Sequence, residues 1–151
     1  MKIKTAFQII AFSALLNTGV FAQDLDKALS FSESGAMAQK LRLSLNAQNI
    51  ANLTTLEDEE TGLPWQKRYA VLVPDKNGVR VASIEKSNKP FGKQYDPGAP
   101  QASTDGYISY PNVNLPDEMI SMSYTEVMFE ANATAFRTSK SLYQNFIDIM
   151  K

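Results

Sequence analysis

The C-terminal run Pro116–Met150, PDEMISMSYTEVMFEANATAFRTSKSLYQNFIDIM, decides how the rest of the chain is read. After Pro116 it holds neither glycine nor proline, so nothing in it interrupts a helix. Pro116 suits the first turn, and Asp117 and Glu118 complement the positive end of the helix dipole. At about 1.5 Å per residue the predicted helix is about 50 Å long. Met122, Phe129, Phe136, Tyr143 and Met150 recur at seven-residue intervals, and Met128, Ala135, Leu142 and Ile149 make a second series beside them. Two adjacent seams form a stripe wider than one coiled-coil partner covers. The helix therefore expects several neighbours, which points to an assembly subunit.

Upstream of this helix the chain reads as a small β region. Tyr69, Val71 and Val73 alternate with Ala70 and Leu72, and Val79, Val81 and Ser83 alternate with Arg80 and Ala82. Between them Pro74-Asp75-Lys76-Asn77-Gly78 carries the Asn-Gly pair that favours a hairpin turn. The segment 86–106 is rich in Lys, Pro and Gly and reads as a loop, with Tyr107-Ile108-Ser109-Tyr110 as a last short strand. Glu57-Asp58-Glu59-Glu60 reads as a solvated loop. Calcium loops alternate their ligands around a glycine, and this run does not, so no metal is expected.

Residues 24–51 are mostly good helix formers. Met37, Leu41 and Leu45 share one face, and Ala36, Leu43, Ala47 and Ile50 line the next. Gly35 weakens the first part by about 1 kcal/mol relative to alanine, which places the firm start near Ala36. Residues 1–22 read as a secretory signal. Lys2 and Lys4 precede the apolar run 6–16, and Val20-Phe21-Ala22 fits the small-residue cleavage rule. The other reading is that these residues open the first helix. Removing them, with their two lysines and no acids, leaves 129 residues with 13 basic and 16 acidic side chains, a net charge of −3. The apolar run is too short to span a membrane.

Composition excludes most chemistry. The 151 residues contain no cysteine and no histidine, which removes thiolate nucleophiles, disulfides, the usual general base and the commonest metal ligand. The formal net charge is −1 with scattered cations, so no nucleic-acid surface is expected. Ser139, Lys140 and Ser141 lie together without a nucleophile turn, and Glu126 and Glu130, one turn apart, read as an outer helix face rather than a glycosidase pair. Neither a phosphate-cradling glycine loop nor a small-molecule site is indicated. The chain is expected not to be an enzyme and to need no cofactor. Trp65 reads as packing.

Specific motifs carry a resemblance. Ala38-Gln39, Arg42-Leu43 and Asn49-Ile50-Ala51-Asn52 resemble the N-terminal signature of flagellar rod, hook and hook-associated axial proteins. Tyr95-Asp96-Pro97-Gly98-Ala99-Pro100, Asp105-Gly106-Tyr107, Pro111-Asn112-Val113-Asn114, Glu118-Met119 and Glu130-Ala131-Asn132 are similar, more narrowly, to the proximal-rod branch of the flagellar basal-body rod proteins. The resemblance implies a structural role, with N- and C-terminal helices that pair, pack against neighbouring rod subunits and further copies, and lack order before assembly. It also implies passage through the flagellar type III apparatus with the N-terminus kept, whereas a cleaved signal implies delivery to the periplasm. Three explanations stay open: a rod built from the periplasmic side, a relative put to other use, or a misassigned start.

The resulting expectation is an α+β chain in which two amphipathic terminal helices form an antiparallel coiled-coil-like pair around a small β insert. Its parts are a signal at 1–22, a helical segment at 23–55, a β-rich insert at 56–115 and a long helix at 116–151. Leu43, Ile50, Met122, Phe129, Phe136, Leu142, Tyr143 and Ile149 are the expected subunit-interface residues, and Asn49 and Asn52 the helix-end motif. The expected place is the flagellar basal body in the periplasmic space. The alternative is a periplasmic interaction module related to rod proteins but outside the rod.

Overall fold

The computed structural model describes residues 2–149, with side chains for residues 24–149. Two long helices enclose a small β insert in the order α1 (Lys2–Ala51), β1 (Arg68–Asp75), β2 (Gly78–Lys86), β3 (Gly92–Tyr95), β4 (Tyr107–Tyr110) and α2 (Leu115–Ile149). The secretory segment read at residues 1–22 lies outside the residues whose side chains are described. Among the described residues, no helix is long and apolar enough to cross a membrane.

α1 runs unbroken through the serines and Gly35, where propensity placed a weak start. Tertiary packing overrides the propensity. Ser32 Oγ turns back to donate to Ala28 O at 2.7 Å, so its hydroxyl is satisfied inside the helix. Gly35 marks a close approach, since a Cβ there would lie 2.6 Å from Asn132 Oδ1 on α2. α2 begins where Asn114 caps it, its Oδ1 accepting from Asp117 N at 3.2 Å.

The two helices run in opposite directions. Asn46 meets Ser121, Asn49 meets Glu118 and Gly35 meets Asn132, so rising numbers on α1 face falling numbers on α2. The face α1 buries is small and polar, with Ser32, Ala38, Leu45, Asn46 and Asn49 buried, while Met37 is 64% exposed. On α2 the fully buried residues are Glu118 and Thr125. Small residues let the helix backbones approach, at the expense of apolar area.

β1 and β2 form an antiparallel hairpin whose register closes at Asp75↔Gly78, with a bulge where Val71 pairs Ser83 and Leu72 pairs Val81. The Asn-Gly pair does not fill the two-residue loop. Lys76 and Asn77 do, and the left-handed conformation falls on Gly78, with φ of 121°. Gly78 also touches α1. A Cβ there would lie 2.2 Å from Ser34 Oγ and 3.1 Å from Phe31 Cα. Ser34 Oγ donates to Asn77 O and accepts from Val79 N, both at 3.2 Å, tying the hairpin tip to the helix. Gly78→Ala combines backbone strain with a clash, and is expected to lower stability by about 1–3 kcal/mol in urea unfolding.

Tyr69 on the hairpin's exposed side donates to Glu85 Oε2 at 3.2 Å. That hydrogen bond, then desolvation and the carboxylate's charge, raise the phenol pKa above its ordinary value. The fold favours neutral Tyr69, so this contribution is present below the ordinary phenol pKa and is lost as pH rises through the raised one. An alkaline ultraviolet titration, corrected with Tyr69→Phe, is expected to show a late-titrating tyrosine that Glu85→Gln returns to its ordinary range.

The segment 86–106 is not all loop. β3 pairs with β4 from Gly92↔Tyr110 to Tyr95↔Tyr107 as a second two-stranded sheet. The acidic run is not all solvated either. Asp58 is buried, its Oδ1 accepts from Glu60 N at 2.9 Å, and its Oδ2 lies 3.6 Å from Arg68 Nη2. Among the described residues the buried apolar side chains are Ala38, Leu45, Pro64, Trp65, Ile108 and Pro111. Six apolar side chains, two of them prolines, make a thin core for a chain of this length, so much of the fold's cohesion falls to polar contacts.

Candidate assembly surface

Where α1 ends, β1 begins and α2 starts, a buried polar junction joins the three elements. Asn49 is fully buried and uses every hydrogen-bonding position of its amide. Its Nδ2 donates to Arg68 O at 2.9 Å and Glu118 Oε2 at 3.2 Å, and its Oδ1 accepts from Arg68 N at 2.9 Å and Trp65 Nε1 at 3.3 Å. Glu118 is fully buried too, and pairs with Lys67 Nζ through Oε1. Asn46, with its amide oriented to satisfy both atoms, donates to Glu118 Oε2 at 3.3 Å and accepts from Ser121 Oγ at 3.2 Å. The Arg68 guanidinium lies 4.2 Å over the Trp65 ring.

Asn112 is a second amide hub. Its Oδ1 accepts from Lys67 N at 2.7 Å, and its Nδ2 donates to Lys89 O at 2.7 Å and Ser87 O at 3.3 Å. It fastens the strand that precedes α2 to both ends of the first hairpin. Asn52 works locally at the end of α1, its Nδ2 donating to Gln48 O at 2.8 Å and its Oδ1 accepting from Thr55 Oγ1 at 3.0 Å. These polar groups are engaged with one another, and among the described residues no three acids converge to hold a metal ion.

The expected interface residues divide into two sets. Leu43, Ile50, Phe129 and Phe136 are half-buried against the rest of the chain. Phe129 and Phe136 line an apolar groove of about 330 Å³ with Ala36, Met37, Lys40 and Ala133, so both face α1 of the same molecule. Met122, Leu142, Tyr143 and Ile149 are exposed. Leu142 and Ile149 belong to a wider face that seven-residue counting misses, whereas Met122 and Tyr143 lie on the side of α2 that carries Glu118 and Thr125. Ile120, Tyr124, Val127, Leu142 and Ile149 are 71%, 57%, 64%, 52% and 84% exposed. With Ala131, Thr134, Thr138 and Asn145 they recur at three- and four-residue steps, so they share one side of α2, turned away from buried Glu118 and Thr125.

An antiparallel helix pair with a thin core, a rigid polar joint and an uncovered apolar side defines a structural subunit of a larger assembly. Comparison with known proteins makes the family specific. Residues 104–149 match the family described as flagellar basal body rod FlgEFG protein C-terminal. The flagellar basal-body rod protein FlgC of Borreliella burgdorferi is 31% identical over 150 residues, covering 84% of this chain and 98% of its own. FlgC of Salmonella typhimurium is 32% identical over 115 residues, covering 72% of this chain and 85% of its own. FlgC of Bacillus subtilis is 28% identical over 145 residues, covering 82% and 97%. The chain belongs to the FlgC family of flagellar basal-body rod proteins.

Proposed function

We propose that this chain is a non-enzymatic structural subunit of the flagellar basal-body rod, joined to further copies and to other rod subunits through its terminal helices. The observation that carries this reading is the exposed apolar side of α2, which no element of the described chain covers. Burial at about 25 cal/mol per Å² favours covering such a surface over leaving it in water, against the entropy of ordering the helix ends. Leu43, Ile50, Phe129 and Phe136 hold the coiled-coil-like pair together, while Met122, Leu142, Tyr143 and Ile149 meet neighbours. Asn49 and Asn52 fix the join to the insert formed by residues 56–115.

Export across the inner membrane by the general route, with cleavage before Gln23, places the mature subunit in the periplasm. N-terminal sequencing of the protein from cells is expected to begin at Gln23, and a chain that starts at Met1 overturns the cleavage. The rod reading is tested by probing isolated basal bodies with an antibody to this protein and by deleting its gene. Presence in the basal body and loss of flagella are expected, and flagellated, motile deletion cells overturn the role.

A further inference from the structure

Asn49 does for β1 what a neighbouring strand does. Its side-chain amide accepts from Arg68 N and donates to Arg68 O, both at 2.9 Å, making one rung on the edge of β1 turned away from β2. Strand residues alternate, so the N–H and C=O groups of Ala70 and Leu72 turn out on that same edge. The bulge leaves this alternation intact, because its extra residue, Ala82, lies on β2. Pro74, the next outward position, has no N–H and ends the edge. Among the described residues no hydrogen bond reaches the outward backbone groups of Ala70 and Leu72.

Ala70 and Leu72 line a cleft of about 400 Å³ walled by β1, by Arg42 and Leu45 of α1 and by Ser121 of α2. Three cations line it, Arg42, Lys67 and Arg68, and no acid does. Lys67 is committed to Glu118, and Arg68 to Asp58 and Glu60. Arg42 bonds Gln39 Oε1 at 3.3 Å and is in no ion pair among the described residues. The first hairpin runs alongside α1, joined to it at Asn49 and again at Ser34. From Asn49 the helix recedes about 10 Å to Arg42 while β1 advances about 13 Å to Leu72, so Arg42 flanks the outer end of the open edge. We infer that this edge is a strand-addition site, where an extended, acid-bearing segment of a neighbouring subunit bonds Ala70 and Leu72 and sets a carboxylate against Arg42. Backbone pairing supplies the attraction, and the carboxylate selects the segment. The cleft lies at the junction, so it forms in the monomer and needs no order in the distal helix ends. The inference rests on the rod reading for the source of the neighbour, and it names a contact apart from the open side of α2.

Hydrogen exchange at single-amide resolution reads the edge directly, on the full-length chain diluted until monomeric and on isolated basal bodies. In the monomer Val71 and Val73, which turn toward β2, are expected to be protected, and Ala70 and Leu72 to exchange about tenfold faster or more. In basal bodies Ala70 and Leu72 are expected to slow by about tenfold or more. Ala70→Pro deletes an outward N–H without touching the β1–β2 ladder, so it is expected to keep the helix content and to lower incorporation into basal bodies about fivefold or more. Arg42→Glu is expected to lower incorporation similarly, and Arg42→Lys to leave it near wild type. Slow exchange of Ala70 and Leu72 already in the monomer overturns the inference, because the edge is then closed within the molecule. Fast exchange of both in basal bodies that contain the chain overturns it too, whether or not Ala70→Pro folds. So does normal incorporation of a folded Ala70→Pro or Arg42→Glu chain. These results leave the rod reading standing, whereas absence of the wild-type chain from basal bodies overturns both.

Discussion

Glu118→Ala is expected to destabilise the protein by about 2–4 kcal/mol, because it empties a fully buried position and breaks a half-buried ion pair from one side only. Glu118 is fully buried, and its loss leaves Lys67 without its counter-charge and removes the acceptor for the Asn49 amide. The Lys67 side chain is 32% exposed and can turn to water, so the cost falls chiefly on the Asn49 amide donor left buried without a partner and on the space Glu118 vacates. Glu118→Gln keeps an acceptor and the volume but not the charge, so a smaller loss is expected. Asn49→Ala removes the partner of Trp65 Nε1 and of both backbone groups of Arg68, for an expected loss of about 2–4 kcal/mol. Because Asn49 and Glu118 touch, the double variant is expected to lose less than the sum of the two single losses. Urea unfolding followed by circular dichroism measures all three, and additive losses would show that the junction is not one unit.

Phe136→Asp is the second large effect. Phe136 sits in the apolar groove with Ala36, Met37 and Phe129, and a carboxylate there faces apolar side chains on both helices. A loss of about 1–3 kcal/mol is expected in the pairing of α1 and α2 from lost apolar burial, since Lys40 and Arg137 also line the groove and screen the new charge. The insert is joined to the helices at Asn49, Ser34 and Glu118 rather than at Phe136, so it is expected to stay folded. Tryptophan fluorescence reads this directly, since Trp65 lies in the junction. Unchanged Trp65 emission together with reduced helicity and absence from basal bodies is the expected pattern. Wild-type incorporation into basal bodies would remove the groove from the account.

Much of the architecture is legible in the residues. An uninterrupted run after Pro116 gives α2, the alternation around Val71 and Val81 gives the first hairpin, and Trp65 is packed, as its place after Leu63-Pro64 suggests. β3 is not legible, because Gly92-Lys93-Gln94-Tyr95 has no β-branched residue and is exposed throughout, so only pairing with β4 makes it a strand. Asn-Gly signals a turn but misplaces it by one position, since contact with Ser34 and Phe31 also requires glycine at position 78.

The surface is harder to read. Hydrophobic spacing finds Phe129 and Phe136 but cannot tell a helix's own partner from a neighbour, and both turn out to face α1. The side that remains open, around Ile120, Tyr124 and Val127, mixes apolar residues with Ala131, Thr134 and Thr138 and so has weak contrast. The α1–α2 contact is built from Gly35, Ala38, Asn46 and Asn49, which a count of leucines passes over. Glu118 reads as a dipole-complementing acid at a helix start, and only the tertiary fold brings Lys67 and two asparagines to it. Asn49 is singled out by resemblance alone. Its four partners lie 16 or more positions away in sequence, beyond any local rule.

The central claim is that α2 presents an apolar side this molecule cannot cover by itself. Hydrogen exchange along residues 115–149 tests it most directly, in protein diluted until monomeric and again in isolated basal bodies. The expected monomer is protected from Glu118 to Phe136, where the junction and the groove against α1 hold the helix, and exchanges fast beyond Lys140, with that distal end becoming protected on assembly. Uniform strong protection of all of α2 in the dilute monomer would contradict the account, because the helix would then be complete without neighbours.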